Sequence, residues 1–166
     1  MSIRLAQVTD IPVLKELLNQ IFQVHQTVRP DLFKNTDKGS KYSETELKEL
    51  LQDESKPIFV YTDGKNRVLG HLFLVIKETE GSSVSKPLKT LFIDDLCVSK
   101  EARGQKIGQE LFEFALKYAK KLGCYDLTLN VWNDNKGALA FYERQGLKAR
   151  ETKMEKILRS EERRVG

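Results

Sequence analysis

No apolar run in this sequence approaches the ~18 residues that a membrane span needs. The opening stretch, MSIRLAQVTD, lacks the basic-then-apolar layout of a signal peptide. The expected compartment is therefore the cytoplasm, with no membrane partner. Cysteine is scarce. Cys97 and Cys124 sit in segments that read as buried strands, and free buried thiols are expected there rather than a disulfide. Two isolated histidines, His25 and His71, and no Cys/His cluster leave no zinc signature, so no metal is expected. Basic residues are not clustered with stacking aromatics. The 28 Lys and Arg are interspersed with 24 Asp and Glu, for a formal net charge of +4, which fits an anionic ligand better than a nucleic-acid surface. There is no internal repeat and no linker. With 166 residues, 40% hydrophobic and 31% charged, one domain over residues 1–166 with a sizeable core is expected, ending in a charged, frayed tail from Arg159.

What is present is a clear order of elements. Residues 3–8 alternate as a first strand. Thr9-Asp10 offers a helix N-cap with Pro12 in the first turn, and Val13, Leu14, Leu17, Leu18, Ile21 and Phe22 repeat at helical spacing until Arg29-Pro30-Asp31. A capping box, Ser43-x-x-Glu46, starts a short second helix. Strands follow at 57–61, 67–77 and 89–98; the last two are apolar on both faces, as central strands are. A long helix from about Gln105 to Leu122 ends at Gly123, in the place of a C-cap glycine. Leu127, Leu129 and Val131 alternate as a strand. Asn133-Asp134 can cap a helix over 135–145 closed by Gly146, and 147–158 is expected to supply the last strands. The order β-α-α-β-β-β-α-β-α-β is mixed α/β: an antiparallel meander followed by a βαβ crossover.

Three features carry chemistry. The stretch 103–108, Arg-Gly-Gln-Lys-Ile-Gly, follows a strand and opens a helix. Free first-turn N–H groups and the helix dipole make that arrangement a phosphate cradle. The strand before it carries Asp94 and Asp95. Further on, Asn135, Ala138/Leu139 and Tyr142 share one helix face, where a small alanine permits close approach and a phenol projects toward the same space.

Together these stretches resemble the GNAT superfamily of acyl-CoA-dependent N-acetyltransferases, over most of the chain and most strongly from Leu91 to about Leu158. The family's phosphate motif, Arg/Gln-x-x-Gly-x-Gly/Ala, is matched by Arg103, Gly104 and Gly108, with Ile107 in the apolar slot. Lys106 stands where glycine is usual; a lysine there can keep a helical φ and adds positive charge, which points to altered affinity for a pyrophosphate. A second signature, Asn-x-x-Ala-x-x-Phe-Tyr-x-x-x-Gly-Phe/Leu, is matched at every spacing by Asn135, Ala138, Phe141, Tyr142, Gly146 and Leu147. The acidic pair, and Trp132-Asn133 before the last helix, are closest to polyamine- and thialysine-type members and to uncharacterised bacterial-type ones.

The resemblance implies a mixed, mostly antiparallel sheet of six to seven strands flanked by about four helices and splayed at the cofactor site. It implies acetyl-CoA as cofactor and coenzyme A as product. Main-chain groups of Leu96, Cys97 and Val98 would pair with the pantetheine. Arg103, Gly104, Gln105, Lys106, Ile107, Gly108 and Gln109 would hold the pyrophosphate. Asn135 would contact the cofactor, and Tyr142 would lie near the thioester sulfur as general acid. His25, Pro30 and Phe33 would wall the acceptor pocket, with Asp94 and Asp95 at its end. Members of the family often form dimers through the sheet edge or the C-terminal strands.

Bland readings stand beside these. Consecutive aspartates in a regular strand face opposite ways, so either can be solvent-facing or structurally paired; the functional reading has at least one guide or deprotonate a cationic amine. His71, on a central strand, fits an interior histidine better than a base, and Tyr142 can be a core aromatic. An acyl-cysteine at Cys97 is disfavoured, because the family acts by direct transfer. The acceptor is a small-molecule amine, a peptide N-terminus or a protein lysine. The alternative function is a non-catalytic acyl-CoA-binding module. A P-loop is excluded, since 103–108 lacks Gly-Lys-Ser/Thr, and a dinucleotide fold would place its glycine turn after the first strand.

Overall fold

The structure, a computed structural model, describes residues 2–159. It divides into two compact units, Met1–Asn130 and Val131–Gly166, and each is described by itself. The expected tail lies, apart from Arg159, outside the described residues.

The first unit is a five-stranded sheet in the order β1 (Ser2–Leu5), β2 (Ile58–Thr62), β3 (Val68–Thr79), β4 (Leu88–Val98) and β5 (Asp126–Leu129). The first four strands are antiparallel and β4–β5 is parallel. Helices α1 (Ile11–Val28) and α2 (Glu44–Leu50) follow β1, and α3 (Ile107–Lys121) forms the crossover from β4 to β5. No helix among the described residues is long and apolar enough to cross a membrane.

Local chemistry accounts for most element ends. Asp10 precedes α1, but its carboxylate does not cap the helix. It accepts the Gln7 N–H at 2.7 Å and pairs with both terminal nitrogens of Arg4, at 2.8 and 3.1 Å. The Arg4 hydrogen bond is the main force holding the Asp10 carboxyl below its ordinary range, against an opposing effect of burial. The capping box of α2 forms as read: the Ser43 hydroxyl accepts from Glu46 N–H at 3.1 Å and the Glu46 carboxylate accepts from Ser43 N–H at 3.0 Å. Gly123 closes α3 at φ +76°.

Because β3 and β4 are central, both of their faces are covered. On one side Phe73 joins Ile11, Leu14, Leu18, Leu47, Ile58 and Val60 beneath α1 and α2. On the other, Leu111 and Ile107 of α3 approach the sheet over Gly70. A Cβ on Gly70 would lie 2.9 Å from the Cys97 carbonyl oxygen and 3.2 Å from Leu111 Cδ1. The glycine is what lets α3 settle onto the strand pair that leads into its own N-terminus.

Among the described residues the sheet has five strands rather than the expected six to seven. The stretch 147–158 forms no strand among the described residues. Apart from half-buried Leu147, its few apolar side chains, Met154 and Leu158 among them, are exposed, and the remaining residues are largely charged. A strand needs a partner's N–H and C=O groups as well as alternation, and no described segment pairs with this one.

Gly70→Ala should destabilise the protein by about 1–3 kcal/mol, the usual cost of overpacking, because the nearest obstacle is backbone. Urea denaturation of the two proteins checks this; equal midpoints would mean that both the Cys97 carbonyl of β4 and α3 can give way.

Candidate active site

The site begins with an irregularity in β4. β3 and β4 pair Phe73 with Asp95 and Leu74 with Ile93, so Asp94 is an extra residue with no partner opposite, a β-bulge. Consecutive residues alternate faces only while the register is unbroken. The bulge corrects the expectation for the aspartates: both carboxylates reach the face covered by α1 and α2. Asp94 Oδ2 accepts the Tyr42 hydroxyl at 2.5 Å and Oδ1 accepts Lys41 Nζ at 2.8 Å. The Tyr42 ring stacks on Phe73, with centroids 5.8 Å apart and planes 8° apart. Asp95 Oδ2 is hydrogen-bonded to His71 Nε2, and the His71 ring packs edge-on against the same Phe73 at 4.7 Å. Burial first, then the Asp94 hydrogen bond, pushes the Tyr42 hydroxyl well above its ordinary value of 10.0, so it stays a proton donor to Asp94.

The end of α1 supplies further groups to this face. His25 lies against Phe33, ring centroids 5.4 Å apart, and Phe33 meets Phe22 edge-on at 6.1 Å. His25 is within electrostatic reach of Asp95 and Lys41. Burial lowers its pKa below the ordinary 6.5, opposed by the Asp95 charge and reinforced by Lys41. Pro30 is exposed in the turn between α1 and Phe33. Beside Asp94 opens a cleft of about 480 Å³ with aromatic walls from Tyr42, Phe73 and Phe92. Its charged lining comprises Glu46, Glu49, Asp53 and Asp94 against Lys56 and Lys77.

The other edge of β4 is shaped by where β5 stops. The parallel pairing covers only Thr90–Ile93 with Asp126–Leu129, locked at its near end by the Thr90 hydroxyl donating to Asp126 Oδ1 at 2.6 Å. β4 continues to Val98 with no ladder partner on that side among the described residues. Ser99 N–H donates to the Leu69 carbonyl at 2.8 Å, toward β3. By alternation the main-chain groups of Cys97 also face β3, and those of Leu96 and Val98 face the open edge. The Cys97 thiol, pushed up to about 12 chiefly by burial and next by the Asp95 charge, donates to the Leu17 carbonyl at 3.4 Å. It is a buried, protonated thiol with no nucleophilic character.

Past the end of β4 comes the glycine turn. Arg103, Gly104, Gln105 and Lys106 are exposed. Gly104 has φ +88°, a conformation that glycine adopts without steric cost. The first bond of α3 is Glu110 N–H to the Lys106 carbonyl at 3.1 Å. The N–H groups of Ile107, Gly108 and Gln109 are therefore the helix's free amides, with the dipole behind them. Lys106 does not keep a helical φ as expected; it sits at φ +63°, ψ +21°, the left-handed conformation that a glycine would take more cheaply. Free amides, two exposed cations and an unpaired strand edge fit an extended, anionic ligand such as acetyl-CoA.

In the second unit, α4 (Lys136–Arg144) is capped by Asn135, whose side-chain oxygen accepts the Ala138 N–H at 3.2 Å. The cap is thus one residue beyond the expected Asn133-Asp134, and it leaves the Asn135 amide NH₂ for other partners. Tyr142 is half-buried against Phe141, ring centroids 5.1 Å apart, and Gly146 ends the helix at φ +92°.

Sequence reasoning missed Tyr42 and Lys41. A signal for Tyr42 was present: it directly precedes the cap residue Ser43, the position of a hydrophobic staple, and it packs on the cluster that holds Leu47. Nothing local indicated that its hydroxyl would meet Asp94, 52 residues away.

The sequence model of a family described as "Acetyltransferase (GNAT) family" matches residues 15–147. The chain is 33% identical over 64 residues to glucosamine 6-phosphate N-acetyltransferase of Arabidopsis thaliana, a match spanning 39% of this chain and 41% of that protein. It is 41% identical over 59 residues to an uncharacterized N-acetyltransferase of Methanocaldococcus jannaschii, spanning 36% of this chain and 26% of the relative. The chain thus aligns with less than half the length of these curated relatives. Among solved structures, a tetramutant of the BH1408 protein from Bacillus halodurans superposes with a TM-score of 0.90 at 26% identity, covering 95% of this chain and 100% of that one.

Lys106→Gly should raise the unfolding free energy by up to about 1 kcal/mol, since relief of the left-handed strain exceeds the added chain entropy. Lys106→Ala keeps the strain and should bring no such gain. Thermal melts of the three proteins check the ranking.

Proposed function

Because the chain belongs to the acetyltransferase (GNAT) family, we propose that it transfers the acetyl group of acetyl-CoA to a primary amine by direct attack. The observation that carries this reading is the parting of β5 from β4 after Ile93, which leaves an open edge on the strand that leads to the free amides of α3. One continuous path runs from an anion cradle, along an unpaired strand edge, to a pair of carboxylates. Acetyl-CoA supplies the thioester whose carbonyl is attacked and the thiolate that leaves.

The chain's own residues do the rest. The amides of Ile107, Gly108 and Gln109, with Arg103, Gly104, Gln105 and Lys106, hold the pyrophosphate. Leu96 and Val98, on either side of Cys97, offer main-chain donors and acceptors to the pantetheine as an added strand would. A donor on this edge can also polarise the thioester oxygen. An amine of lysine type has a pKa of about 10.4 and arrives as an ammonium ion. Carboxylates beside aromatic faces, and the acid-rich cleft next to Asp94, favour such a cation. A small cationic amine is thus the acceptor this site suits best. Removal of its proton falls to the Asp94–Asp95 end. Tyr142 is assigned as general acid to the leaving sulfur, and Asn135 as a cofactor contact, on their match to the family signature.

Release of coenzyme A thiol with a panel of amines tests the reading, small cationic amines being the expected best acceptors. Tight acetyl-CoA binding without turnover on any amine would favour a non-catalytic acyl-CoA module instead. Tyr142→Phe should lower kcat by about 10²-fold, the scale of a lost general acid, with acetyl-CoA affinity nearly unchanged. Steady-state kinetics and calorimetric titration separate the two; undiminished turnover would remove the acid role.

A further inference from the structure

The face that carries the carboxylates also holds a group that the proposed reaction leaves unused. His71 is fully buried in the middle of β3. Its Nε2 bonds to Asp95 Oδ2, and its Nδ1 is buried with no partner among the described residues. That asymmetry decides the ring's protonation. Hydrogen on Nδ1 would be a buried donor without an acceptor, and an imidazolium would add an incompletely compensated buried charge. The arrangement that leaves no donor unmet is a neutral ring with its hydrogen on Nε2, donated to Asp95.

The two aspartates then differ in kind. Asp94 has both oxygens engaged, one by the Tyr42 hydroxyl and one by Lys41 Nζ. It closes the loop ahead of α2 onto the bulge. Asp95 has only Oδ2 engaged; Oδ1 has no hydrogen-bond partner among the described residues and is not sealed from solvent. The side chain as a whole is 9% exposed, so what can be reached of it is narrow.

We infer that Asp95 receives the acceptor's ammonium group and takes its proton, and that His71 is the positioning residue that holds Asp95 ionised and turned for that step. The inference rests on the acetyltransferase reading and names the base within it. The transfer is one proton: the ammonium N–H bond breaks, an O–H bond forms on Asp95 Oδ1, and the charges of amine and carboxylate cancel. His71 keeps its Nε2–H throughout, so Oδ2 stays satisfied in both states. The freed lone pair on the amine nitrogen is what attacks.

Other titratable and charged groups around the pair have distinguishable behaviour. Cys97, beside Asp95 on β4, stays protonated up to about 12. His25 from α1 titrates below its ordinary 6.5, while Lys41 and Tyr42, from the loop before α2, engage Asp94. Arg103, beyond β4, acts on Cys97 only through its charge. His25 and Asp94 are thus the neighbours whose protonation has to be told apart from that of Asp95, and His25→Asn and Asp94→Asn serve as controls.

The experiment measures kcat/KM for the best amine against pH, with acetyl-CoA saturating. The acid limb of that profile is the readout. His71→Gln returns an N–H donor to about the same place and should keep that limb. His71→Leu removes the donor and should move the limb up by about one pH unit or more, as expected when a buried carboxylate loses its hydrogen bond. Asp95→Asn should lose about 10²-fold on the plateau above the acid limb, and the limb itself should flatten. Asp94→Asn should loosen Tyr42 and raise KM without moving the limb.

Equal limbs for Gln and Leu, a limb that moves in His25→Asn, or a larger loss in Asp94→Asn than in Asp95→Asn would overturn the assignment. Long-range ¹H–¹⁵N NMR of His71 gives a readout independent of turnover and of whether His71→Leu folds. Hydrogen on Nε2 with Nδ1 bare is expected; hydrogen on Nδ1 overturns the positioning role. A parent that binds acetyl-CoA and turns over no amine fails the acetyltransferase reading itself, whichever tautomer is seen.

Discussion

A single extra residue in β4, Asp94, is the constraint on which the rest of the site depends. Without the bulge, Asp94 would point toward α3 or lose its partners, and the sheet would carry one carboxylate on each face. With it, Asp94 meets Tyr42 and Lys41 while Asp95 meets His71, all on the side of α1 and α2. A bulge also bends its strand and sharpens the local twist. The bend falls where β5 ceases to pair, one residue after Ile93. The same irregularity that gathers the carboxylates thus coincides with the opening of the edge at Leu96 and Val98.

Several features hold that irregularity in place. Phe73 is the shared platform: Tyr42 stacks on it, His71 packs edge-on against it, and its own backbone pairs with Asp95. Tyr42 is in turn fixed by the capping box that it precedes. A buried polar group that meets its partners is rigid, because the low dielectric makes each bond costly to break. The exception is His71 Nδ1, buried without a partner among the described residues; with the ring's hydrogen on Nε2 it is an unmet acceptor, which costs less than an unmet donor. On the far side, Gly70 lets α3 approach the same strand pair, so the anion cradle and the carboxylates are carried by one stretch of sheet.

How much of this could be read beforehand follows the range of the interaction. The α1, α2 and α3 spans, the capping box and the closing glycines were legible because they depend on neighbours three or four residues away. Strands β2 to β4 were legible as apolar runs bounded by turns. The strands expected over 147–158 do not form among the described residues, because pairing depends on a partner that alternation cannot supply. Lys106 read as helical because lysine rarely takes a left-handed φ; the turn imposes it. Tyr42 went unnoticed because its hydroxyl's partner lies far along the chain.

The sequence by itself determined the element types, their caps, the glycine turn before α3 and the two signatures that mark the family, since each is written in local spacing and residue chemistry. Tertiary structure alone decided that adjacent aspartates share a face, that one is closed by Tyr42 and Lys41 while the other is held by His71, and that β4 offers Leu96 and Val98 along a free edge. The physical reason is that a bulge is a property of two paired strands. Period-two alternation tells which way a side chain points only as long as the register is unbroken, and the register is set across the sheet, by residues that have no record of one another in the chain.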